Sequence, residues 1–121
     1  MSDRMETGRQ AIGTIMGMPG EEAHATLAEW YGQAIADEVI GIGALWERPV
    51  LTKRECSLVA IAALTALGTL ERLKIHVGGA LNHGATAAEI EEVILMMMVY
   101  AGHPRATEAV QVARAITRIR L

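Results

Sequence analysis

Apolar and polar positions follow each other along most of the chain with the three- and four-residue spacing that is typical of amphipathic helices. The segments between the three prolines are rich in Ala, Leu, Ile, Met and Glu, which favour helix formation. The pattern therefore predicts an all-α protein, a bundle of about six helices. The expected ranges are 4–16, 21–45, 52–67, 69–83, 86–101 and 105–120.

Local signals mark several of the predicted helix ends. Thr52 with Glu55, and Thr86 with Glu89, match a capping box, in which the threonine caps the first turn and the glutamate bonds back. Glycine, which readily closes a helix, stands where three helices are expected to end. These glycines are Gly68, Gly84 and Gly102. Inside the second predicted helix, Gly41 allows either a close helix contact or a break.

Two of the predicted helices carry apolar residues on nearly every face, in the segments 57–67 and 93–101. A helix without a polar face needs cover on all sides, which a small monomer rarely provides. The chain is therefore expected to form a homo-oligomer. The alternative is that both segments are central helices of a monomeric bundle.

The composition narrows the class of protein. A chain of 121 residues corresponds to one domain, expected over residues 1–121. With 11 basic and 14 acidic residues, the chain lacks the positive charge that binding to nucleic acid or an anionic membrane requires. The longest uncharged segment, 56–70, is shorter than the roughly 20 residues of a membrane-spanning helix. The single cysteine and the polar first ten residues predict a cytoplasmic protein without disulfides.

Among the histidines, His76 is the strongest candidate for chemistry. It lies in the middle of a predicted helix between Ile75 and Val77, and an apolar setting lowers the pKa of an imidazole so that it can act as acid or base. A core histidine that makes one hydrogen bond is the alternative. No metal site is expected, because the histidines and the cysteine lack the short spacings of zinc ligands. These residues are His24, His76, His83, His103 and Cys56.

Other side chains offer weaker signals. Arg48, before Pro49, could contact an anion or belong to a solvated turn. The aromatic residues Trp30, Tyr31 and Trp46 could line a pocket or anchor the core.

Five segments between residues 45 and 106 resemble the carboxymuconolactone decarboxylase family, whose relatives include the alkylhydroperoxidase AhpD. The order and spacing of the segments carry the resemblance, which implies the helical fold of that family and a trimer or hexamer. The segments are WERPVL (46–51), CSL (56–58), RLKIH (72–76), ALNHGATAAEIEEV (80–93) and YAGHP (100–104).

The resemblance favours the decarboxylase branch over the peroxidase branch. The peroxidases carry a C-x-x-C pair shortly before the histidine, and those two positions are Thr69 and Arg72 here. The glutamate that they place nineteen residues before the histidine is Ser57, which matches the serine of the decarboxylases. The implied activity is a lyase without a cofactor, acting on a small lactone or enolisable carboxylate that serves as its own electron sink.

The resemblance also assigns roles in a substrate site. It implies that His76 is the acid/base group, that Arg48 binds a carboxylate, and that Tyr100 and Trp46 form the pocket wall or donate hydrogen bonds.

Four positions depart from the family motifs, namely Val50, Cys56, Gly78 and His103. The family motifs carry arginine at positions 56 and 78, so two positive charges are lost. His83 and His103 are two histidines near the motifs, and both are expected to contact substrate. We therefore expect related chemistry on a less charged substrate.

Two other functions remain open at this stage. One is a non-catalytic oligomeric protein that binds a small apolar ligand in the same pocket. The other is a thiol peroxidase that uses Cys56 alone, since a thiolate near a helix N-terminus is stabilised. The absence of the C-x-x-C pair disfavours the second.

Overall fold

The computed structural model describes residues 3–120, and side chains up to residue 118, so residues 1, 2 and 121 of the expected domain lie outside the described part. All secondary structure in this range is helical, which confirms the all-α class. Seven α-helices replace the six expected. They are α1 Arg4–Met16, α2 Gly20–Tyr31, α3 Gln33–Gly43, α4 Lys53–Leu67, α5 Leu70–Asn82, α6 Ala87–Ala101 and α7 His103–Arg120, with a 3-10 turn at Ala44–Glu47.

The additional helix arises because the predicted helix 21–45 is broken at Gly32. This residue has φ 90° and ψ 159°, a conformation that residues with a side chain rarely adopt. Its backbone N–H still bonds to the carbonyl oxygen of Ala28, so α2 ends there and α3 begins at the next residue. The possible break at Gly41 is absent, since Gly41 lies inside α3.

The chain divides into two compact units. The N-terminal unit, residues 1–53, contains α1 to α3, and the C-terminal unit, residues 54–121, contains the remaining helices. Each has its own apolar core. In the N-terminal unit Leu27, Ala36 and Ile40 form its centre. In the C-terminal unit the core includes Ile61, Leu73, Val77, Ile90, Ile94, Ala109 and Ala113. The expectation of a single domain stays a prediction.

The predicted boundaries in the C-terminal unit are largely confirmed. The capping box of α6 is present, with Glu89 N–H donating to Thr86 Oγ1 at 3.0 Å and Thr86 N–H donating to Glu89 Oε1 at 2.9 Å. Helix α4 begins directly after Thr52 and ends before Gly68, which has φ 73°. Helix α7 begins at His103, two residues earlier than expected.

An ion pair joins the N-terminal turns of α4 and α6. Arg54 donates from Nε and Nη2 to both carboxylate oxygens of Glu89, with Nε and Oε1 3.2 Å apart. The hydrogen bond from Arg54, followed by that from the Thr86 backbone, lowers the pKa of Glu89 to about 2. The carboxylate therefore stays ionised through the whole neutral range and orients both helix ends.

Helix α6 buries only part of its apolar surface. Ile90 and Ile94 are buried, whereas the following turns expose large apolar side chains. We define the α6 outer face as Leu95, Met96, Met98, Val99 and Tyr100. Helix α4 likewise exposes Val59 and Leu67. Both apolar segments thus expose large side chains in the single chain, and the expectation of a homo-oligomer stays a prediction. Within the described residues no helix is long and apolar enough to cross a membrane.

Helices α1 and α3 approach closely at Gly8, and this contact predicts the effect of one substitution. A Cβ atom at Gly8 would overlap the backbone carbonyl oxygen of Ile40. Gly8→Ala should therefore lower the free energy of unfolding by about 2 kcal/mol or more, because the two backbones must separate. Urea denaturation measures the loss.

The matched control is Gly41→Ala in α3, where the nearest atom to an added Cβ is Arg4 Nε at 3.9 Å. This variant should be neutral or gain up to about 1 kcal/mol from helix propensity. Equal stability of the two variants would contradict the close approach.

Candidate functional site

His76 lies on α5 at the edge of the C-terminal core. Leu73, Val77 and Ala80 are fully buried on one side of this helix, which leaves the imidazole of His76 half-buried beside them. Burial lowers the pKa of His76 to about 4, and the positive charges of Arg72 and His83 act in the same direction. Its apolar sequence neighbours predict this direction. At neutral pH His76 is therefore uncharged.

Two further polar groups meet near the end of α5. Ser57, on α4, is 1% exposed, and its Oγ lies 2.8 Å from Nδ1 of His83. His83 directly follows α5, where its backbone N–H bonds to carbonyl oxygens of the last turn. The hydrogen bond thus fixes the imidazole of His83 against α4. The charge of His83 also contributes to the lowered pKa of His76, so the two imidazoles lie within electrostatic range of each other.

The sequence did not identify the partnership of Ser57 and His83, which stand 26 residues apart. One signal was available. Ser57 shares its helix face with Ile61 and Thr65, and all three are buried. A polar residue on a buried face requires a hydrogen-bond partner, so a buried serine at this position implies one.

The other predicted site residues of the C-terminal unit lie at its surface. Tyr100 is 76% exposed at the end of α6, and His103 is exposed at the start of α7. Cys56 is half-buried in the first turn of α4. Within the described residues, no three His, Cys, Asp or Glu side chains lie close enough together to hold a metal ion.

The aromatic and basic candidates of the N-terminal unit differ in how far they are exposed to solvent. Trp30 and Tyr31 form an edge-to-face pair with centroids 5.9 Å apart, and both are exposed. The interpretation of these two as core anchors is therefore wrong, because they end α2 on its outer side before Gly32. Trp46 is half-buried in the 3-10 turn and Arg48 is exposed after it. Their roles as pocket wall and carboxylate ligand stay predictions.

A separate cavity of about 430 Å³ lies between α6 and α7. Its apolar lining includes Ile94, Met98 and Val110. At its border Arg114 donates two hydrogen bonds of 2.9 Å to the carboxylate of Glu91. None of the predicted site residues lines this cavity.

The lowered pKa of His76 predicts how stability depends on pH. In the unfolded chain His76 takes up a proton as the pH falls through about 6.5, whereas the folded chain resists protonation down to about 4. Stability is therefore lost between these values, by about 2 to 3 kcal/mol at pH 4.5 relative to pH 7. His76→Gln should abolish this part of the loss in urea denaturation at both pH values.

His103→Gln, which replaces an exposed histidine, should keep the full dependence of the wild type. A His76→Gln variant with the same acid-induced loss as the wild type would mean that His76 is solvated in the folded chain.

Comparison with known proteins identifies the family. The model of the carboxymuconolactone decarboxylase family matches residues 40–115. The chain is 39% identical over 74 residues to the 4-carboxymuconolactone decarboxylase of Acinetobacter baylyi, covering 61% of this chain and 55% of that protein. It is 35% identical over 72 residues to the nitrosuccinic acid decarboxylase npaB of Metarhizium robertsii, covering 60% and 50%.

The chain thus matches about half the length of each of these relatives. Since the family model covers more than half of the chain itself, this protein belongs to the carboxymuconolactone decarboxylase family.

Proposed function

We propose that this chain is a carboxy-lyase acting on a small carboxylic acid that provides its own electron sink. The observation that carries the proposal is the position of His76 on α5, half-buried beside the aliphatic core, where burial lowers its pKa to about 4. The names of the two relatives, both decarboxylases, support the same class of reaction.

The two named substrates share one chemical property. Loss of CO2 leaves an electron pair on carbon, which a lactone carbonyl conjugated with that carbon can accept, and which an adjacent nitro group can accept as a nitronate. The substrate then needs no cofactor to stabilise the pair. The substrate class proposed for this chain is therefore a carboxylate attached to carbon next to such an acceptor.

His76 fits this chemistry as the acid/base group. An uncharged imidazole can donate an N–H hydrogen bond to the oxygen that gains negative charge, and the bond is stronger where the imidazole is partly withdrawn from water, as that of His76 is. Desolvation also favours loss of CO2, because the charge of the carboxylate is dispersed as the C–C bond breaks. In this chain Cys56 and Gly78 stand where the family motifs carry arginine. The loss of these two positive charges favours a substrate with less negative charge.

Release of CO2 from two defined compounds tests this function. The wild type should turn over 4-carboxymuconolactone or 2-nitrosuccinate, with a raised KM because both are dianions and Cys56 and Gly78 stand where the family motifs carry arginine. His76→Gln should lower kcat about 100-fold or more, which is the usual contribution of a general acid or base. His24→Gln, which replaces a histidine of α2 outside the predicted site, is the control and should reduce kcat far less.

Two results would contradict the proposal and identify an alternative. Binding of these compounds without CO2 release would favour a non-catalytic ligand-binding protein. Peroxide turnover that is lost in Cys56→Ser would favour a thiol peroxidase.

We further propose that the α6 outer face joins copies of this chain. It concentrates large exposed apolar side chains on one helix, and a contiguous apolar surface of this kind is typical of an interface between subunits. A trimer or hexamer agrees with the resemblance to the family.

Val99, 78% exposed, provides the test of this assembly. Val99→Lys should shift the wild-type oligomer toward the monomer in sedimentation equilibrium, because a charge in an apolar interface loses its water. Gln111→Lys places the same charge on an exposed position of α7 and should leave the oligomer intact. A wild type that sediments as a monomer at tens of micromolar would overturn the proposal.

A further inference from the structure

The cavity between α6 and α7 has a volume of about 430 Å³. Sites for small molecules typically enclose roughly 300 to 1,000 Å³, so the cavity is large enough for a ligand. Ala88 of α6 and Ala106 of α7 are among its lining residues, and such short side chains leave space between two helices. Because protein interiors otherwise pack without voids of this size, the cavity calls for an occupant.

An ion pair fixes the spacing of the two helices at one end of the cavity. Arg114 on α7 donates from Nε and Nη2 to the two carboxylate oxygens of Glu91 on α6, each at 2.9 Å. A bidentate pair of this kind has a defined geometry. At the other end, Gly102 connects α6 directly to α7. The cavity thus lies between two links that hold the helices in place.

The cavity is elongated and its walls are aliphatic. Along α6 its lining includes both Glu91 and Met98, and seven residues of helix span about 10 Å. Ile94 lies between these two residues, and Val110 lines the cavity from α7. This shape and surface fit a linear aliphatic molecule.

The charged side chains near the cavity balance one another. Glu91, Glu92 and Arg114 are lining residues. The hydrogen bond from Arg114 is the main cause that lowers the pKa of Glu91, and the charge of Arg118 acts in the same direction. Two carboxylates and two guanidinium groups therefore give this border no net charge. An ionised ligand would lose water against the aliphatic walls without a gain in charge pairing, which favours an uncharged one.

The charged border also distinguishes the cavity from the α6 outer face. The two surfaces share Leu95 and Met98. Charged side chains are depleted at the centre of interfaces between subunits, and the α6 outer face contains none. A further copy of the chain therefore fits the α6 outer face, whereas the cavity beside Glu92 and Arg114 fits a small molecule.

We infer that the cavity between α6 and α7 binds an uncharged, linear aliphatic molecule about 10 Å long, of the class of medium-chain alcohols. Its chain lies along Ile94 and Val110. Its hydroxyl lies beside Glu91 and Arg114, where carboxylate oxygens accept hydrogen bonds and guanidinium N–H groups donate them. The site is separate from His76, and the inference does not rest on the proposed decarboxylase function.

Methyl NMR signals of the methionine side chains measure the binding of 1-octanol at a defined place. Met98 lines the cavity, whereas Met96 belongs to the α6 outer face alone. The signal of Met98 should shift and reach saturation as 1-octanol is added, and the signal of Met96 should stay in place. Equal shifts of both signals would show that the alcohol coats the exposed surface, which would overturn the inference.

Variants that fill the cavity test the same site. Ala88→Phe introduces a ring from an exposed position of α6, and Val110→Trp introduces one from α7. Each should weaken binding about 10-fold or more, because the ring excludes at least two methylene groups of the ligand from the apolar walls. Gln111→Trp, at an exposed position of α7 outside the cavity, is the control and should bind like the wild type. Wild-type affinity in both filled variants would contradict the assignment.

Two ionised analogues of the same length test the class of ligand. Octanoate and octylammonium should each bind about 10-fold more weakly than 1-octanol, because a charge loses water in the cavity. Equal or tighter binding of either ion would show that the class is wrong.

The wild type and Val99→Lys together identify the occupant. Saturable binding of 1-octanol by both supports a small-molecule site. Binding by Val99→Lys alone would show that a second copy of the chain fills the cavity, and absence of binding in both would equally overturn the inference.

Discussion

Desolvation of polar groups at the edge of an aliphatic core is the constraint on which the C-terminal unit depends. Helix α5 places Leu73, Val77 and Ala80 in the core without measurable exposure. This packing fixes the rotation of the helix and brings His76 partly out of water. An imidazole in that place is more stable uncharged, which is why burial is the largest influence on its pKa.

The same constraint explains the contact between Ser57 and His83. The face of α4 that enters the core carries Ser57, and an unpaired hydroxyl there would be costly. His83, which directly follows α5, supplies the partner, although it lies 26 residues from Ser57 in the sequence. The contact thus satisfies a buried hydroxyl and holds the imidazole of His83 against α4.

Charges in the unit are arranged around this apolar interior. Arg54 and Glu89 pair at the N-terminal ends of α4 and α6, and Arg114 pairs with Glu91 beside the cavity between α6 and α7. Because these ion pairs are partly exposed, they contribute little to the free energy of unfolding and act mainly by orienting the helices that they join. The α6 outer face carries no charged side chain by contrast, and such a surface fits the assembly with a further copy that we propose.

The sequence by itself determined the features that depend on neighbouring residues. The range of α1, the end of α4 before Gly68 and the capping box of α6 were all predictable, because caps and glycine closures act within one turn of helix. The apolar neighbours of His76 likewise predicted the direction of its pKa.

Only the tertiary structure decided the features that depend on distant residues or on the backbone conformation of a single glycine. The apolar pattern of the sequence continues through Gly32, so periodicity alone could not predict that the helix breaks there into α2 and α3. The exposure of Trp30 and Tyr31 and of the α6 outer face depends on which surfaces the other helices cover. The contact of Ser57 with His83 exists because packing brings α4 and the end of α5 together, and no local rule of sequence encodes that distance.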